Sequence, residues 1–505
     1  MRRAILALVC LVTLAAGGDA RAGPPPRVTV GSKAFPESWI LGEALASLVR
    51  SAGVAEVVHR SNLGGTEIVY QGLESGALDV YPEYTGTIAE VILKTPGRTS
   101  LPEMRRALVR QGIGISDPLG FNDSYALAVS RATQQRLGLK TLSDLARHPE
   151  IRFGLTHEFL GRADGFPGLA RRYGLEHAHV LGIQHELAYA AIASGKIDVT
   201  DIYTTDAQIE RLGLAVLEDD RGFFPRYDAV LLYRLDLARR SPGAFAAMSR
   251  LVGKVDEKLM VRANARVVLE KQSFQHAAAG LLAEALGTAA AGPAERPHVA
   301  REMLRNTLIH VRLVAISLLG AIVLGVPLGV LATGSPWLAN LTLTAAGLLQ
   351  TIPSLALLAF LIPLFGIGVA PALVALFLYS LLPIVRNTYV GLSTISPSLA
   401  EASRALALSP RAQLFWVSLP MASPAIMAGI KTSAVINVGT ATLAALIGAG
   451  GLGDPILSGI QLRQSSLIWQ GALPAAALAL LVQWGFDLLD RVAVPRGLRL
   501  PVEKD

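Results

Sequence analysis

The sequence predicts two folds in one chain: a two-lobed α/β domain, followed by an all-α membrane domain of about five transmembrane helices. Leu313–Val385 contains no Asp, Glu, Lys, Arg or His, although one helical span needs only ~20 apolar residues. The preceding part of the chain carries most of the charge, and strand and helix patterns alternate along it, as they do in layered α/β proteins. A water-facing unit therefore precedes the membrane domain.

The composition excludes several classes of function. The net charge of +7 comes without a Lys/Arg run, which argues against nucleic acid as a partner. The single cysteine, Cys10, lies in the first apolar stretch, so we expect neither disulfides nor a cysteine metal site. Gly448–Gly453 fits the pattern Gly-x-Gly-x-x-Gly but lacks the preceding strand that a dinucleotide site needs. Because catalytic motifs are also missing, we expect no enzyme activity and no cofactor in this chain.

The N-terminus has the features of an export signal. Met1–Arg3 is positively charged, Ala4–Ala16 is apolar, and Ala20–Ala22 places small residues where a signal peptidase cuts. We expect a signal peptide at 1–22 and export of the chain that follows. The alternative is an uncleaved membrane anchor, for which the apolar stretch is short.

Strand–loop–helix patterns recur through the first domain, at 23–285. The predicted elements are a strand at Val28–Val30, a loop at Gly31–Phe35, a helix at Trp39–Ala52, strands at Ala77–Val80 and Tyr125–Val129, a helix from Leu142, and strands at Ile151–Leu155 and Tyr227–Tyr233. They divide into lobe 1, at about 27–118 and 222–285, and lobe 2, at about 119–221. A cleft between two lobes is a preferred place for a ligand.

The membrane domain is predicted at 308–500, after a linker at 286–307. Its apolar segments are Leu313–Leu331, Leu338–Leu364, Pro371–Val385, Thr432–Gly453 and Gln464–Phe486. Arg386–Pro420 is too charged to insert. If export places the first domain outside the cytoplasm, five crossings leave Arg386–Pro420 and the C-terminus inside, and the Lys and Arg residues there agree with the positive-inside rule. We therefore expect a multi-pass inner-membrane protein in contact with lipid.

One segment of the membrane domain carries a family pattern. Glu401-Ala-Ser403, continued through Leu419-Pro420, resembles the cytoplasmic loop of ATP-binding-cassette importer permeases, with Ala407 where that family usually has Gly. The resemblance implies a MetI-like permease whose loop contacts an ATPase through Glu401, Ala402, Ala407 and Pro420. Each Gly-Lys pair lacks the following Ser or Thr of a phosphate loop. We therefore expect the ATPase to be a separate subunit and the permease to form a homodimer.

A series of short motifs follows in order along the first domain. They are Gly31–Phe35, Asn62–Thr66, Tyr81–Thr87, Glu158–Gly165, Tyr203–Asp206, Leu217–Asp220 and Phe224–Asp228. Together they resemble the periplasmic binding proteins of osmoprotectant importers, which carry glycine betaine, choline, carnitine and related quaternary amines. The resemblance implies a solute of this class. The alternatives are another betaine-like solute, such as ergothioneine, and a ligand-gated sensor or channel that uses no ATPase.

The chemistry of such a solute points to aromatic side chains. A trimethylammonium group has charge but no N–H donor, so aromatic faces bind it, at ~0.5–2 kcal/mol for each contact. The resemblance implies a cage formed by Tyr84, Tyr125, Tyr203 and Tyr227 with Asp123 beside it. It also implies that Lys33, Thr87 and Arg162 hold the solute's carboxylate. Taken singly, each of these residues is more often a packing or solvated residue, and the prediction depends on their joint occurrence.

Overall fold

The computed structural model describes residues 26–95, 100–287, 299–462 and 464–493. The predicted signal peptide at 1–22, with Cys10, lies outside the described residues.

The α/β domain contains strands and short helices in alternation. Its strands are β1 Arg27–Lys33, β2 Glu56–Leu63, β3 Val80–Tyr84, β4 Ile113–Ile115, β5 Tyr125–Ser130, β6 Arg152–Thr156, β7 His179–Ile183, β8 Val199–Tyr203, β9 Leu214–Val216 and β10 Ala229–Arg234. Its α-helices are α1 Pro36–Ala52, α2 Thr66–Glu74, α3 Thr85–Thr87, α4 Leu101–Val109, α5 Arg131–Leu137, α6 His157–Gly161, α7 Phe166–Tyr173, α8 His185–Ala193, α9 Gln208–Arg211, α10 Leu237–Arg240, α11 Pro242–Ser249, α12 Glu257–Val268 and α13 Phe274–Leu286. A π-helical turn at Ile88–Ile92 and a 3-10 helix at Leu142–Arg147 complete it.

The membrane domain is helical. Its helices are α14 Val299–Ala332, α15 Pro336–Thr351, α16 Ser354–Phe365, α17 Val369–Ser393, α18 Pro397–Ala405, α19 Pro410–Gln413, α20 Leu419–Thr440, α21 Gly453–Gln461 and α22 Ser465–Ala493. A π-helical turn at Leu414–Ser418 and a 3-10 helix at Ala441–Ile447 extend α20 at its two ends. Helix α14 already includes residues 299–307, which the sequence assigns to the linker.

The strands form two sheets of five. The first has the order β2-β1-β3-β10-β4 and the second the order β7-β6-β8-β5-β9. In the first sheet β1 pairs in parallel with β2 and β3, and β10 pairs antiparallel with β3 and β4. In the second sheet β6 pairs in parallel with β7 and β8, and β5 pairs antiparallel with β8 and β9. We call the part built on the first sheet, with the helices that cover it, lobe 1, and the part built on the second sheet lobe 2. With the helical membrane region, this architecture confirms the predicted fold class.

Two chain segments cross between the lobes side by side. Asn122 and Asp228 form an isolated antiparallel bridge between the two crossings. The backbone N–H of Asp123 donates to the carbonyl of Tyr227 at 3.0 Å, and the Tyr227 N–H donates to Asn122 Oδ1 at 2.8 Å. Two predicted site residues, Asp123 and Tyr227, therefore lie on the connection between the lobes.

Two strand boundaries differ from the sequence prediction. Gly31–Phe35 is expected to be a loop, yet β1 continues to Lys33 because it pairs with β2 as far as Leu63, across a bulge. Tyr81–Tyr84 is expected to follow a strand, but it is part of β3, whose five residues are all buried. Both segments lie between neighbouring strands of the same sheet, and this pairing overrides local turn preferences.

The membrane helices match the predicted number of spans, but the geometry of the second span differs from the prediction. In the described chain, four helical segments are long and apolar enough to cross a bilayer: Val299–Ala332, Val369–Ser393, Pro410–Ile447 and Ser465–Asp490. The sequence predicts a continuous second span, whereas α15 and α16 are bent by 99° at this point. Counting the bent pair as one span gives five.

Pro353 explains the bend. Ile352 has an extended backbone, with φ −67° and ψ 125°, as is usual before a proline. Pro353 has no N–H to continue the helix. The Tyr379 hydroxyl donates to the carbonyl of Ile352, and this bond satisfies one of the polar groups that the break releases.

The ends of two further spans also differ from the prediction. Helix α17 continues through Arg386 to Ser393, and the helical segment that contains the fourth predicted span already begins at Pro410. Arg386–Pro420 is therefore a pair of helix ends joined by α18, rather than a single polar loop.

The α/β domain contacts the membrane domain at three points: the connection between α16 and α17, the end of the helical segment Pro410–Ile447, and the connection between α21 and α22. Arg60 Nη1 donates to the carbonyl of Ile367 at 3.4 Å. The backbone N–H of Gly64 donates to the carbonyl of Leu446 at 3.1 Å. Lys271 Nζ donates to the carbonyl of Leu462 at 3.1 Å. Ile367 lies next to the start of α17, and the connection that contains α18 follows the end of that helix. Because α17 has 25 residues, its two ends are about 37 Å apart.

Candidate functional site

The strand ends of both sheets bring the predicted residues together. Lys33 is the last residue of β1 and Tyr84 the last residue of β3. Tyr203 ends β8, and Tyr125, at the start of the antiparallel β5, pairs with it directly. The carboxyl ends of parallel strands are a common place for ligands in α/β folds. Three of the predicted side chains, Tyr125, Arg162 and Tyr203, come from lobe 2.

The aromatic side chains form one continuous cluster. The Tyr125 ring centroid lies 5.1 Å from that of Tyr203 and 5.6 Å from that of Tyr227. Phe35 bridges to the remaining tyrosine, because its centroid lies 5.8 Å from Tyr203 and 6.3 Å from Tyr84. We call these five residues the ring cluster. Sequence reasoning missed Phe35 as a site residue, although Phe35 closes the first quoted motif.

Arg162 is buried against the ring cluster and is already paired. Its guanidinium lies 5.4 Å from the centroid of the Tyr125 ring. Nε donates to Asp164 Oδ1 at 2.8 Å, and Nη2 donates to the second oxygen of Asp164. Burial lowers the pKa of Arg162, but the hydrogen bonds and charge of Asp164 outweigh it and hold the pKa above its ordinary value. The Tyr227 hydroxyl also donates to Asp164, at 2.6 Å.

Lys33 has the same arrangement in lobe 1. Its Nζ donates to Glu83 Oε1 at 2.6 Å and lies 3.5 Å from Thr66 Oγ1. The ammonium also lies 5.3 Å from the Tyr84 centroid and 5.5 Å from that of Phe35. Both predicted cations therefore have a buried acidic partner, Glu83 or Asp164, that the sequence does not reveal.

A second polar network surrounds Asp123. The Thr205 hydroxyl lies 2.5 Å from Glu37 Oε2 and 2.8 Å from Asp123 Oδ1. A hydroxyl has one proton to donate, so it cannot donate to two carboxylates at once. Burial raises the pKa of Asp123, and Glu37 and Asp206 raise it further. Burial also raises the pKa of Glu37, so the pair retains a proton at pH values where free carboxyl groups are ionised.

This network joins the two lobes and the ring cluster. The Tyr84 hydroxyl donates to Glu37 Oε1 at 2.6 Å. Asn264 Nδ2 donates to Glu37 Oε2 at 3.0 Å and to the carbonyl of Thr205 at 3.1 Å. Glu37 and Asn264 belong to lobe 1, and Thr205 follows β8 in lobe 2. Glu37 therefore links Thr205 of lobe 2 to the Tyr84 phenol of lobe 1.

Among the predicted site residues, Thr87 is the one whose role the structure indicates least. It is buried in the short helix α3, next to Gly86. A side chain at Gly86 would collide with the Tyr227 ring, so α3 lies directly against the ring cluster. The role of Thr87 toward a carboxylate stays a prediction.

The arrangement suits a compact organic cation. Aromatic faces and buried carboxylates stabilise a positive charge, and the remaining N–H groups of Lys33 allow an anionic end to bind. Within the described ranges, no group of three His, Cys, Asp or Glu side chains is placed to hold a metal ion.

The predicted coupling loop forms a helix with a defined end. Glu401 and Ala402 lie in α18, and Ala407 follows its C-terminus with φ 53°. The N–H of Ala407 bonds the carbonyl of Arg404, and that of Leu408 bonds the carbonyl of Ser403. This is the Schellman pattern, in which Gly is usual at the position of Ala407. Pro420 lies in the first turn of α20, directly after the π-helical turn Leu414–Ser418.

Family models match both halves of the chain. Residues 26–284 match the substrate-binding domain of ABC-type glycine betaine transport systems. Residues 325–496 match the inner-membrane component of binding-protein-dependent transport systems. These matches confirm the resemblances drawn from the sequence motifs and identify a multi-pass inner-membrane protein.

Curated relatives each match a part of the chain. The osmoprotectant import permease protein OsmW of Salmonella typhimurium is 48% identical over 198 residues, which are 38% of this chain and 92% of that one. The choline transport system permease protein OpuBB of Bacillus subtilis is 42% identical over 39% of this chain and 91% of that one. The ergothioneine transport permease/ergothioneine binding protein EgtU of Helicobacter pylori is 33% identical over 49% of this chain and 45% of that one.

Among solved structures, a crystal structure of a glycine betaine/carnitine/choline ABC transporter is 28% identical, with a TM-score of 0.44, and covers 50% of this chain and 97% of that one. The domain matches together with the OsmW relationship establish the family. The chain belongs to the ABC importers of the glycine betaine transport type and joins their substrate-binding domain and their membrane permease in one polypeptide.

Proposed function

We propose that this importer subunit captures glycine betaine, choline or a similar quaternary ammonium osmoprotectant between its lobes and passes it through its own membrane helices. The ring cluster carries this proposal. It is built from both lobes, it borders the lobe connection, and it combines aromatic faces with buried carboxylates. Several cation–π contacts of ~0.5–2 kcal/mol each supply much of the ~8 kcal/mol that micromolar affinity needs.

The two ends of the solute have different partners. The quaternary nitrogen binds among Tyr84, Tyr125, Tyr203 and Tyr227, beside Asp123. A carboxylate, where the solute has one, binds to Lys33, Thr87 and Arg162. Glu83 and Asp164 already pair with Lys33 and Arg162. The carboxylate of a solute must therefore compete with these two side chains for the cations. A solute without a carboxylate avoids this competition.

The contacts between the domains support an orientation. Two of the contacts with the α/β domain, at Ile367 and Leu462, lie in the two connections that the crossing count places outside, and the third, at Leu446, lies near the outer end of the fourth predicted span. The connection with Glu401 lies at the other end of α17. The binding domain then faces the periplasm, and the coupling loop and the C-terminus face the cytoplasm.

A separate ATPase drives the cycle in this proposal. Trp416 and Phe415 are 82% and 63% exposed beside the coupling segment, and such exposed aromatic residues suit a protein partner. Two permease domains assemble as a homodimer around the path. Carnitine and ergothioneine are alternative solutes. An alternative from a different functional class is a sensor or channel that needs no ATPase. Co-purification of an ATPase subunit with the full chain would exclude that alternative.

Uptake by the purified protein tests the proposal. The full chain is reconstituted with its ATPase in proteoliposomes, and labelled betaine and choline are supplied. We expect ATP-dependent uptake that Tyr203→Ala lowers at least tenfold. Tyr203→Phe, which keeps the ring, retains most of it. Absence of ATP-dependent uptake for every quaternary amine tested would contradict the proposal.

A further inference from the structure

The two cationic side chains of the candidate site are already neutralised inside the fold. The Lys33 ammonium lies 2.6 Å from Glu83 Oε1, and both side chains are at most 7% exposed. Arg162 donates to both carboxylate oxygens of Asp164, and these side chains are just as deeply buried. Separating such a buried pair leaves a charge without a partner, which is strongly unfavourable. A solute carboxylate that approaches Lys33 or Arg162 therefore meets a cation whose charge is already compensated.

Carboxyl groups outnumber cations around the ring cluster. Glu37 and Asp123 border one cavity together with Tyr203, and their hydrogen bonds within the described residues come from neutral donors. No Lys or Arg is among the described residues that line this cavity. Glu158 adds a further carboxylate, 3.5 Å from the guanidinium of Arg162. A positive charge placed here is therefore attracted, whereas a negative charge is repelled.

Hydrogen bonding at the same cavity favours a donor on the solute. Asn264 is 5% exposed and lines the cavity. Its Nδ2 donates to Glu37 and to the carbonyl of Thr205, but its Oδ1 receives no hydrogen bond in the described part of the chain. The Thr205 hydroxyl has one proton for two carboxylate oxygens, on Glu37 and Asp123. A solute hydroxyl can donate to such an oxygen, whereas a solute carboxylate can only accept.

The geometry weakens the binding of a carboxylate but does not exclude it. Lys33 has three N–H groups, and its contacts are with Glu83 Oε1 and, at 3.5 Å, Thr66 Oγ1. A carboxylate can therefore reach the ammonium. It must then share the ammonium with Glu83, and the two negative charges repel each other in a buried environment where Coulomb interactions are strong.

We infer that the site selects quaternary ammonium solutes that carry no carboxylate, of which choline is the simplest, over zwitterions such as glycine betaine and carnitine. The inference rests on the proposed function and narrows its class of solute. Both classes share the ammonium end that the ring cluster binds. The selection therefore arises at the other end of the solute, because Lys33 and Arg162 are already paired.

Three related ligands test the inference on the unaltered full chain. Choline, glycine betaine and glycine betaine amide are titrated calorimetrically into the protein in nanodiscs, at one pH and one salt concentration. The amide has the shape of betaine without its negative charge. We expect choline to bind at least ~30-fold more tightly than betaine, because only betaine brings a carboxylate close to Glu83 and Asp164. Betaine amide should bind within about fivefold of choline for the same reason.

The variant Glu83→Gln locates the source of the selection. Gln keeps an acceptor oxygen for Lys33 but removes the negative charge, so the ammonium becomes available to a solute carboxylate. The affinity for betaine relative to choline should increase at least tenfold. Glu176→Gln removes an exposed carboxylate of lobe 2 and is the matched control, which should leave this ratio unchanged. If Glu83→Gln does not fold, Asp164→Asn performs the same test at Arg162.

The outcomes separate the inference from the proposed function. Betaine binding within threefold of choline overturns the inference. Betaine amide binding as weakly as betaine also overturns it, because size rather than charge would then decide the affinity. An unchanged affinity ratio in a folded Glu83→Gln or Asp164→Asn variant overturns the role of the paired cations. Binding of none of the three ligands would instead contradict the proposed function.

Discussion

At the scale of single residues, the site contains buried cationic side chains that pair with buried carboxylates. Lys33 and Glu83 are 50 positions apart, and both are buried. The sequence predicts Lys33 from its motif, but it cannot predict Glu83 as its partner, because that pairing depends on β1 and β3 lying side by side. Phe35 was within reach of sequence reasoning, because it closes the motif Gly31–Phe35 on which the resemblance rests.

Solute binding should release a proton. Burial, with Glu37 and Asp206, raises the pKa of Asp123 above its ordinary value. A quaternary ammonium placed beside Asp123 stabilises the ionised carboxylate and lowers that pKa. Affinity should therefore increase as pH rises toward the raised pKa of Asp123 and level off above it. Calorimetric titration of the full chain with choline, in two buffers of different ionisation enthalpy, measures the released protons.

The variant Asp123→Asn provides the control for this linkage. It removes one carboxyl group of the Asp123–Glu37 pair and should bind choline more weakly, with a smaller dependence on pH than the parent, because Glu37 keeps a raised pKa. Proton uptake on binding by the parent, or an unchanged pH dependence in Asp123→Asn, would contradict the assignment of the titrating group.

At the scale of elements, the apolar segments predict how many helices cross the membrane, because hydrocarbon thickness sets their length. They do not predict the 99° bend between α15 and α16. Pro353 is visible in the sequence, but prolines also lie within α14 and α17, so a proline alone does not distinguish a break from a tolerated position. The extended β1 follows from pairing with β2, which local patterns do not contain.

The end of the coupling helix allows a prediction at this scale. Ala407 has φ 53° at the C-terminus of α18, and the left-handed conformation costs a non-glycine residue ~1–2 kcal/mol. Ala407→Gly should therefore stabilise α18 by ~1 kcal/mol. Hydrogen exchange of the α18 amides in the full chain, measured without the ATPase, reports this change as slower exchange.

Leu406→Gly is the matched control for that substitution. Leu406 has φ −75°, so glycine gains no conformational advantage there and adds freedom to the unfolded chain. Its α18 amides should exchange faster than those of the parent. Faster exchange in Ala407→Gly would contradict the strain assigned to Ala407.

At the scale of the whole molecule, the order of the domains and the crossing count could be derived from charge patterning and the apolar runs. The contacts that join the domains could not. Gly64 and Leu446 lie far apart in the chain, and neither residue type indicates an interface. Likewise, the sequence predicts a site and a membrane path but gives no sign that Lys33, Tyr203 and Gln461 line one cavity.

The charge of the solute is the property that the ring cluster should recognise, and one competition experiment measures it most directly. The full chain in nanodiscs is titrated with choline and with 3,3-dimethylbutanol, the uncharged molecule of the same shape. We expect choline to bind at least ~10-fold more tightly, a difference of ~1.4 kcal/mol that the cation–π contacts readily supply. Binding of the neutral molecule within threefold of choline would contradict a site built for a quaternary ammonium ion.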